Sequence, residues 1–151
     1  MAETPPDATP ALMRIDHVGI ACRDIAEKID FYREVFGLAV ASRERNEEQG
    51  VHEAMLEIPD RIGSGPSYVQ LLEPLSPETP VGRFLARRGE GLHHVGYAVP
   101  DITRALASVG GAGVKLIDER PRHGAMGASI AFLHPSDMGG VLTELVQPPP
   151  T

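Results

Sequence analysis

The chain has a single cysteine, Cys22, in 151 residues, which excludes an internal disulfide. A reducing cytoplasm is the simplest compartment for such a protein. No apolar run approaches the roughly 18 residues needed to cross a bilayer. Met1 to Pro10 carries two acids, three prolines and no basic residue, so it lacks the charged start and apolar centre of a secretory signal. Positive charge is also short: 14 Lys and Arg face 21 Asp and Glu, a formal net charge of −7. Nucleic-acid affinity rests on clustered positive surface, so phosphate-backbone binding is excluded as the main role. The expectation is a cytoplasmic protein with neither a nucleic-acid nor a membrane partner. Residues 1–12 and 148–151, rich in proline, are expected to be unstructured tails.

What the chain does have is a repeated phrase. His17-Val18-Gly19-Ile20-Ala21-Cys22-Arg23-Asp24-Ile25 and His94-Val95-Gly96-Tyr97-Ala98-Val99-Pro100-Asp101-Ile102 agree at six of nine positions, at an offset of 77. A second echo aligns Val69-Gln70-Leu71-Leu72-Glu73-Pro74 with Thr143-Glu144-Leu145-Val146-Gln147-Pro148, at an offset of 74. Each half therefore opens with a histidine and closes on Gln or Glu.

Periodicity extends the parallel. Ile15 to Cys22 is apolar and reads as a strand. Asp24, with Glu27 three residues on, resembles a helix cap, and Ile25, Ile29, Tyr32 and Phe36 then fall on one helical stripe that Gly37 ends. The second half repeats this with Leu92 to Val99 as strand, Asp101 as cap, a stripe of Ile102, Ala105, Leu106 and Val109, and Gly110-Gly111 as stop. Three β-rich stretches follow each helix: Leu38–Arg45, His52–Ile58 and Ser67–Leu72, then Lys115–Glu119, Ser129–Leu133 and Leu142–Val146. The predicted fold is α+β, with two tandem βαβββ modules over residues 14–75 and 91–147 and a helical connector within 76–90. The two form one domain, residues 13–147. Neither half has enough apolar surface to stand alone, so the modules are expected to share one core and pair their sheets around a cleft.

Duplication places equivalent residues near a pseudo-two-fold axis, so His17, Gln70, His94 and Glu144 are candidates to converge on one divalent metal. Imidazole nitrogen, carboxylate oxygen and amide oxygen are all known metal donors. A lone histidine at a strand start is more often structural than a ligand, and the repeat raises His17 and His94 above that reading. Glu144 lies on an otherwise apolar strand, where a carboxylate must be paired, protonated or metal-bound. His93 should point to the opposite face from His94. His52, His123 and His134 have no repeat partner and read as surface or loop residues. Arg83, Arg87, Arg88, Arg120 and Arg122 could meet a phosphate, although most such groups are solvated charge. The run Arg43-Glu44-Arg45-Asn46-Glu47-Glu48-Gln49-Gly50 reads as an exposed hairpin turn.

Several segments together resemble the methylmalonyl-CoA epimerases, a family of the vicinal oxygen chelate superfamily that also includes glyoxalase I. They are Ile15-Asp16-His17-Val18-Gly19-Ile20-Ala21, Asn46-Glu47-Glu48-Gln49-Gly50-Val51, Gln70-Leu71-Leu72-Glu73-Pro74-Leu75, Gly89-Glu90-Gly91-Leu92-His93-His94-Val95, Phe132-Leu133-His134-Pro135 and Gly140-Val141-Leu142-Thr143-Glu144-Leu145. The resemblance runs from about Arg14 to Gln147. It implies an isomerase that interconverts (2R)- and (2S)-methylmalonyl-CoA in propionate metabolism. It also implies a divalent metal, cobalt or manganese, on His17, Gln70, His94 and Glu144, with Glu48 and Glu144 as the acid/base pair in a homodimer. Alternatives of the same fold are a glyoxalase I-like isomerase, an extradiol-type dioxygenase using His17, His94 and Glu144 for iron, and a non-enzymatic binding protein.

Overall fold

The computed structural model describes residues 9–63 and 65–150. In chain order the elements are β1 (Arg14–Ala21), α1 (Ile25–Phe36), β2 (Ala39–Asn46), β3 (Val51–Ile58), β4 (Ser67–Pro74), α2 (Pro80–Arg88), β5 (Gly91–Ala98), α3 (Ile102–Gly111), β6 (Arg122–His123), β7 (Ser129–Leu133) and β8 (Thr143–Gln147). The βαβββ order thus occurs twice, joined by α2. The strands pair in the order β2-β3-β4-β1-β5-β8-β7-β6. Of the expected tails, residues 1–8 and 151 lie outside the described residues, and residues 9–13 and 148–150 carry no helix or strand. Among the described residues, no helix is long and apolar enough to cross a membrane.

Both long helices start as the sequence suggests. The Asp24 carboxylate accepts from the Glu27 N–H, and that of Asp101 from the Arg104 N–H, each satisfying a donor that the first helical turn cannot. Gly37, at φ 69°, closes α1 in the left-handed region, where its N–H reaches the last carbonyls. The downstream echo explains a second pair of caps. Glu73 at the end of β4 accepts from the Ile25 N–H at 2.8 Å, and Gln147 at the end of β8 accepts from the Ile102 N–H at 2.9 Å. Each module thereby ties its last strand to the start of its own helix. Glu73→Ala should lower stability by about 1–2 kcal/mol, through loss of this charge-assisted cap, as read by urea denaturation.

The described residues divide into two compact units, one within His17–His94 and the other made of residues 9–16 with 95–150. In the first, Cys22, Ile25, Ile29, Ala54, Leu56, Val69 and Leu71 form a cluster beneath α1. A second cluster joins Ala21, Val51 and Leu72 to Val81 and Leu85 of α2. In the other unit, Val99, Ile102, Ala105, Leu106, Ala131, Leu133 and Leu145 gather around α3. Each long helix covers the strands of its own module. Phe36, expected in the buried stripe of α1, is 63% exposed at the helix end.

The expected strand Lys115–Glu119 does not form. Leu116 makes one isolated bridge to Leu133, and a two-residue β6 appears further on. The cause is side-chain competition: the Phe132 N–H donates to the Asp118 carboxylate, while the N–H groups of Ile117 and Asp118 both donate to the Phe132 carbonyl. Asp118 thus takes a ladder bond away from the backbone.

Candidate active site

Within the His17–His94 unit, pairing brings the sequence-marked residues to one face. β1 and β4 are parallel, with Gly19 opposite Gln70. Residues opposite one another share a face, as do residues two apart on a strand, so His17, Gly19 and Gln70 lie on the same side. A Cβ on Gly19 would overlap the His94 ring, so glycine lets that imidazole lie against the β1 backbone. His17 and His94 meet there. Their Nε2 atoms are 3.0 Å apart, with ring centroids at 5.1 Å and nearly perpendicular planes.

Both imidazoles are buried, at 3% and 2% exposure. Burial pushes the His94 imidazole well below the ordinary histidine range, and the neighbouring His17 and His93 act in the same direction. His93 is lowered by burial to about 4. Neutral rings leave unprotonated nitrogens available to a cation at neutral pH.

Gln70 completes this face. β3 and β4 are antiparallel, with Met55 opposite Gln70, and Glu53 lies two residues before Met55 on the same side. Gln70 Nε2 donates to Glu53 Oε2 at 3.0 Å, both residues being buried. A carboxylate only accepts, so it holds the amide with nitrogen toward Glu53 and oxygen away. Gln70 Oε1 has no hydrogen-bond partner among the described residues. Such a buried acceptor is costly unless a donor or a cation meets it.

Glu53 escaped the sequence reading. The alternation Val51, Glu53, Met55 carried the signal, since it sets the carboxylate among inward apolar residues as the surroundings of Glu144 do. Glu48 stands elsewhere, exposed on the turn Glu47–Gly50 between β2 and β3, where Asn46 Oδ1 accepts from the Gln49 N–H.

In the other unit, Glu144 is buried on β8, opposite Gly96 of β5 on one side and Phe132 of β7 on the other. Among the described residues, the buried His17, His94 and Glu144 form a donor set that could hold a metal ion. Of the other histidines, His134 accepts from the Ser136 N–H, and His52 lies 4.0 Å from Glu73. Arg122 pairs with Asp118, Arg88 lies over the Phe84 ring, and Arg83 and Arg87 are exposed.

Residues 16–132 match the Glyoxalase/Bleomycin resistance protein/Dioxygenase superfamily. The mitochondrial methylmalonyl-CoA epimerase of Dictyostelium discoideum is 34% identical over 133 residues, covering 87% of this chain and 76% of its own. A Streptomyces coelicolor methylmalonyl-CoA epimerase variant, solved in complex with 2-nitronate-propionyl-CoA, superposes with a TM-score of 0.89 at 47% identity, covering 93% of this chain and all of its own. A methylmalonyl-CoA epimerase in complex with methylmalonyl-CoA and NH4+ gives 0.88 at 48% identity, with 91% and 96% covered. The chain belongs to the methylmalonyl-CoA epimerase family within that superfamily. It is an epimerase, an isomerase that inverts one carbon centre.

Proposed function

We propose that this chain interconverts (2R)- and (2S)-methylmalonyl-CoA by removing the proton from C2 and returning one to the opposite face. We assign a divalent metal to His17, Gln70, His94 and Glu144, and the proton transfers to Glu53 and Glu144. The observation that carries this reading is the buried Glu53–Gln70 pair on the same face as the His17–His94 contact.

The donor set fits a dication. His17 and His94 bring two buried imidazole nitrogens within 3.0 Å of one another, where one ion could share both lone pairs. Gln70 Oε1 is an acceptor in need of a partner. Cobalt and manganese both accept such nitrogen and oxygen donors. A dication there supplies positive charge beside the thioester and carboxylate oxygens, where negative charge develops as the C2 proton leaves.

Inversion needs one group to take a proton from one face of C2 and another to deliver one to the other face. Glu53 lies outside the proposed ligand set, so no metal competes for its lone pairs, and its bond to Gln70 holds it in place. In one direction it takes the C2 proton to become a carboxylic acid, and the C–H electron pair left at C2 delocalises onto the thioester oxygen as an enolate. Glu144 is assigned the opposite face, where as the carboxylic acid it gives a proton to C2 and is left as the carboxylate. The family resemblance drew attention to Glu48, but an exposed turn carboxylate is ill placed to exclude water from an enolate. The reading includes a homodimer, testable as a solution mass of twice 16.2 kDa.

The test is deuterium uptake at C2 of one methylmalonyl-CoA epimer in deuterated water, with and without EDTA and added cobalt. Metal-dependent uptake with loss of stereochemical purity supports the reading. No uptake by cobalt-loaded protein overturns it. Gly19→Ala, which pushes a methyl group into the His94 ring, should weaken cobalt binding by about 10–100-fold without removing a ligand, with an unchanged circular dichroism spectrum.

A further inference from the structure

We propose that His93 is a positioning residue, whose Nδ1 accepts the Nδ1–H of His94 and so fixes the ring and tautomer that turn His94 Nε2 toward His17. This rests on the metal reading above and adds to it a residue outside the ligand set.

The two Nδ1 atoms are 3.0 Å apart. A hydrogen bond at that distance requires one nitrogen to carry the proton and the other to offer a lone pair. His94 Nε2 is the atom 3.0 Å from His17 Nε2, so a ligand role requires its lone pair there. The single proton of a neutral His94 then belongs on Nδ1. That makes His93 Nδ1 the acceptor and puts the His93 proton on Nε2. Alternation along β5 would have sent the two side chains apart, and the sequence reading expected this. Nδ1 lies close to the main chain, however, so two adjacent rings can meet through their Nδ1 edges, here at a centroid distance of 5.2 Å and 86°.

His93 is itself held. Its ring packs edge-on to Phe84 of α2, with centroids 5.0 Å apart at 74°, and the Arg88 guanidinium lies over the same Phe84 ring, 5.8 Å from its centroid. The orientation of His94 is thereby tied to the connector helix through one aromatic contact and one hydrogen bond. Metal-binding histidines are commonly fixed by an acceptor on their second nitrogen, and loss of that acceptor costs about 10–100-fold in metal affinity. Here the acceptor is another imidazole.

Two variants separate this role from packing. His93→Phe keeps a ring on Phe84 but offers no acceptor, whereas His93→Asn gives up the ring but presents an amide oxygen. Cobalt affinity would be measured by equilibrium dialysis, and the tautomer of His94 by nitrogen-15 NMR of histidine-labelled, metal-free protein, assigned against His94→Ala. The expected result is an Nδ1–H tautomer in the unaltered chain, a loss of about 10–100-fold in cobalt affinity in His93→Phe, and recovery of most of it in His93→Asn. Activity of His93→Phe should return when cobalt is raised to saturation. Unchanged cobalt affinity in folded His93→Phe overturns the proposal, as does an Nε2–H tautomer for His94 in the unaltered chain. Should the unaltered chain bind no cobalt, the metal reading fails by itself, and the tautomer still decides whether the His93–His94 bond exists. If His93→Phe fails to fold, the unaltered chain's tautomer and the cobalt affinity of His93→Asn decide between the two outcomes.

Discussion

Glu53→Gln is expected to lower epimerisation by about 10²–10⁴-fold, the usual contribution of a positioned general acid or base, while leaving bound metal unchanged. The substitution is nearly isosteric, and the new amide oxygen can still accept from Gln70 Nε2, so the hydrogen bond that orients Gln70 survives. What disappears is a group able to take and return a proton. Deuterium uptake at C2 should fall in parallel with epimerisation, since both need the same proton removal. Glu48→Gln is the matched control: its side chain is exposed on the β2–β3 turn, and surface changes of this kind usually have small effects. The assignment fails if the Glu48 variant is the inactive one, or if metal-loaded Glu53→Gln turns over normally.

His94→Ala should lose both metal and activity, and so differ from Glu53→Gln in a measurable way. A metal that stabilises developing charge contributes several kcal/mol, on the order of 10³-fold or more in rate. Removing His94 takes away one nitrogen of the 3.0 Å His17–His94 pair and opens a hole against the β1 backbone. Chelation of the unaltered chain should give the same loss, reversed by adding cobalt. Binding also stabilises the folded state by mass action, about 2.7 kcal/mol at a cobalt concentration 100-fold above Kd. For a chain of this size that is a rise in melting temperature of about 5–11 °C, and His94→Ala should show little of it. Retention of full activity in EDTA-treated, metal-free protein would remove the metal from the mechanism while leaving Glu53 to be judged on its own.

Most of the architecture was legible in one dimension because the chain says it twice. The paired phrases located β1 and β5, their aspartate caps and the helices behind them, and the strand positions agree within a residue or two. His17, His94, Gln70 and Glu144 were marked by the same repeat, and all four are buried. The second polar residue of the downstream echo was legible as a pattern only. That Glu73 and Gln147 cap their helices requires knowing that β4 and β8 end beside the first turns of α1 and α3.

Elsewhere, the chain alone could not decide. Lys115–Glu119 has the composition of a strand, yet the Asp118 carboxylate, fourteen residues from Phe132 in sequence, takes the N–H that a regular ladder would use. Glu48 and Glu53 are five residues apart in one acidic stretch, and composition does not distinguish them. One falls on a turn open to water. The other falls on the inward face of β3, two residues before Met55, which stands opposite Gln70 on β4. Periodicity along one strand can say that two residues share a face, but which residue of a neighbouring strand lies beside them is set by pairing register, which depends on the whole sheet. The sequence by itself therefore determined the duplicated fold and marked the candidate donors of the proposed metal site. Only the tertiary structure decided that Glu53 stands beside Gln70, and that His93 touches His94.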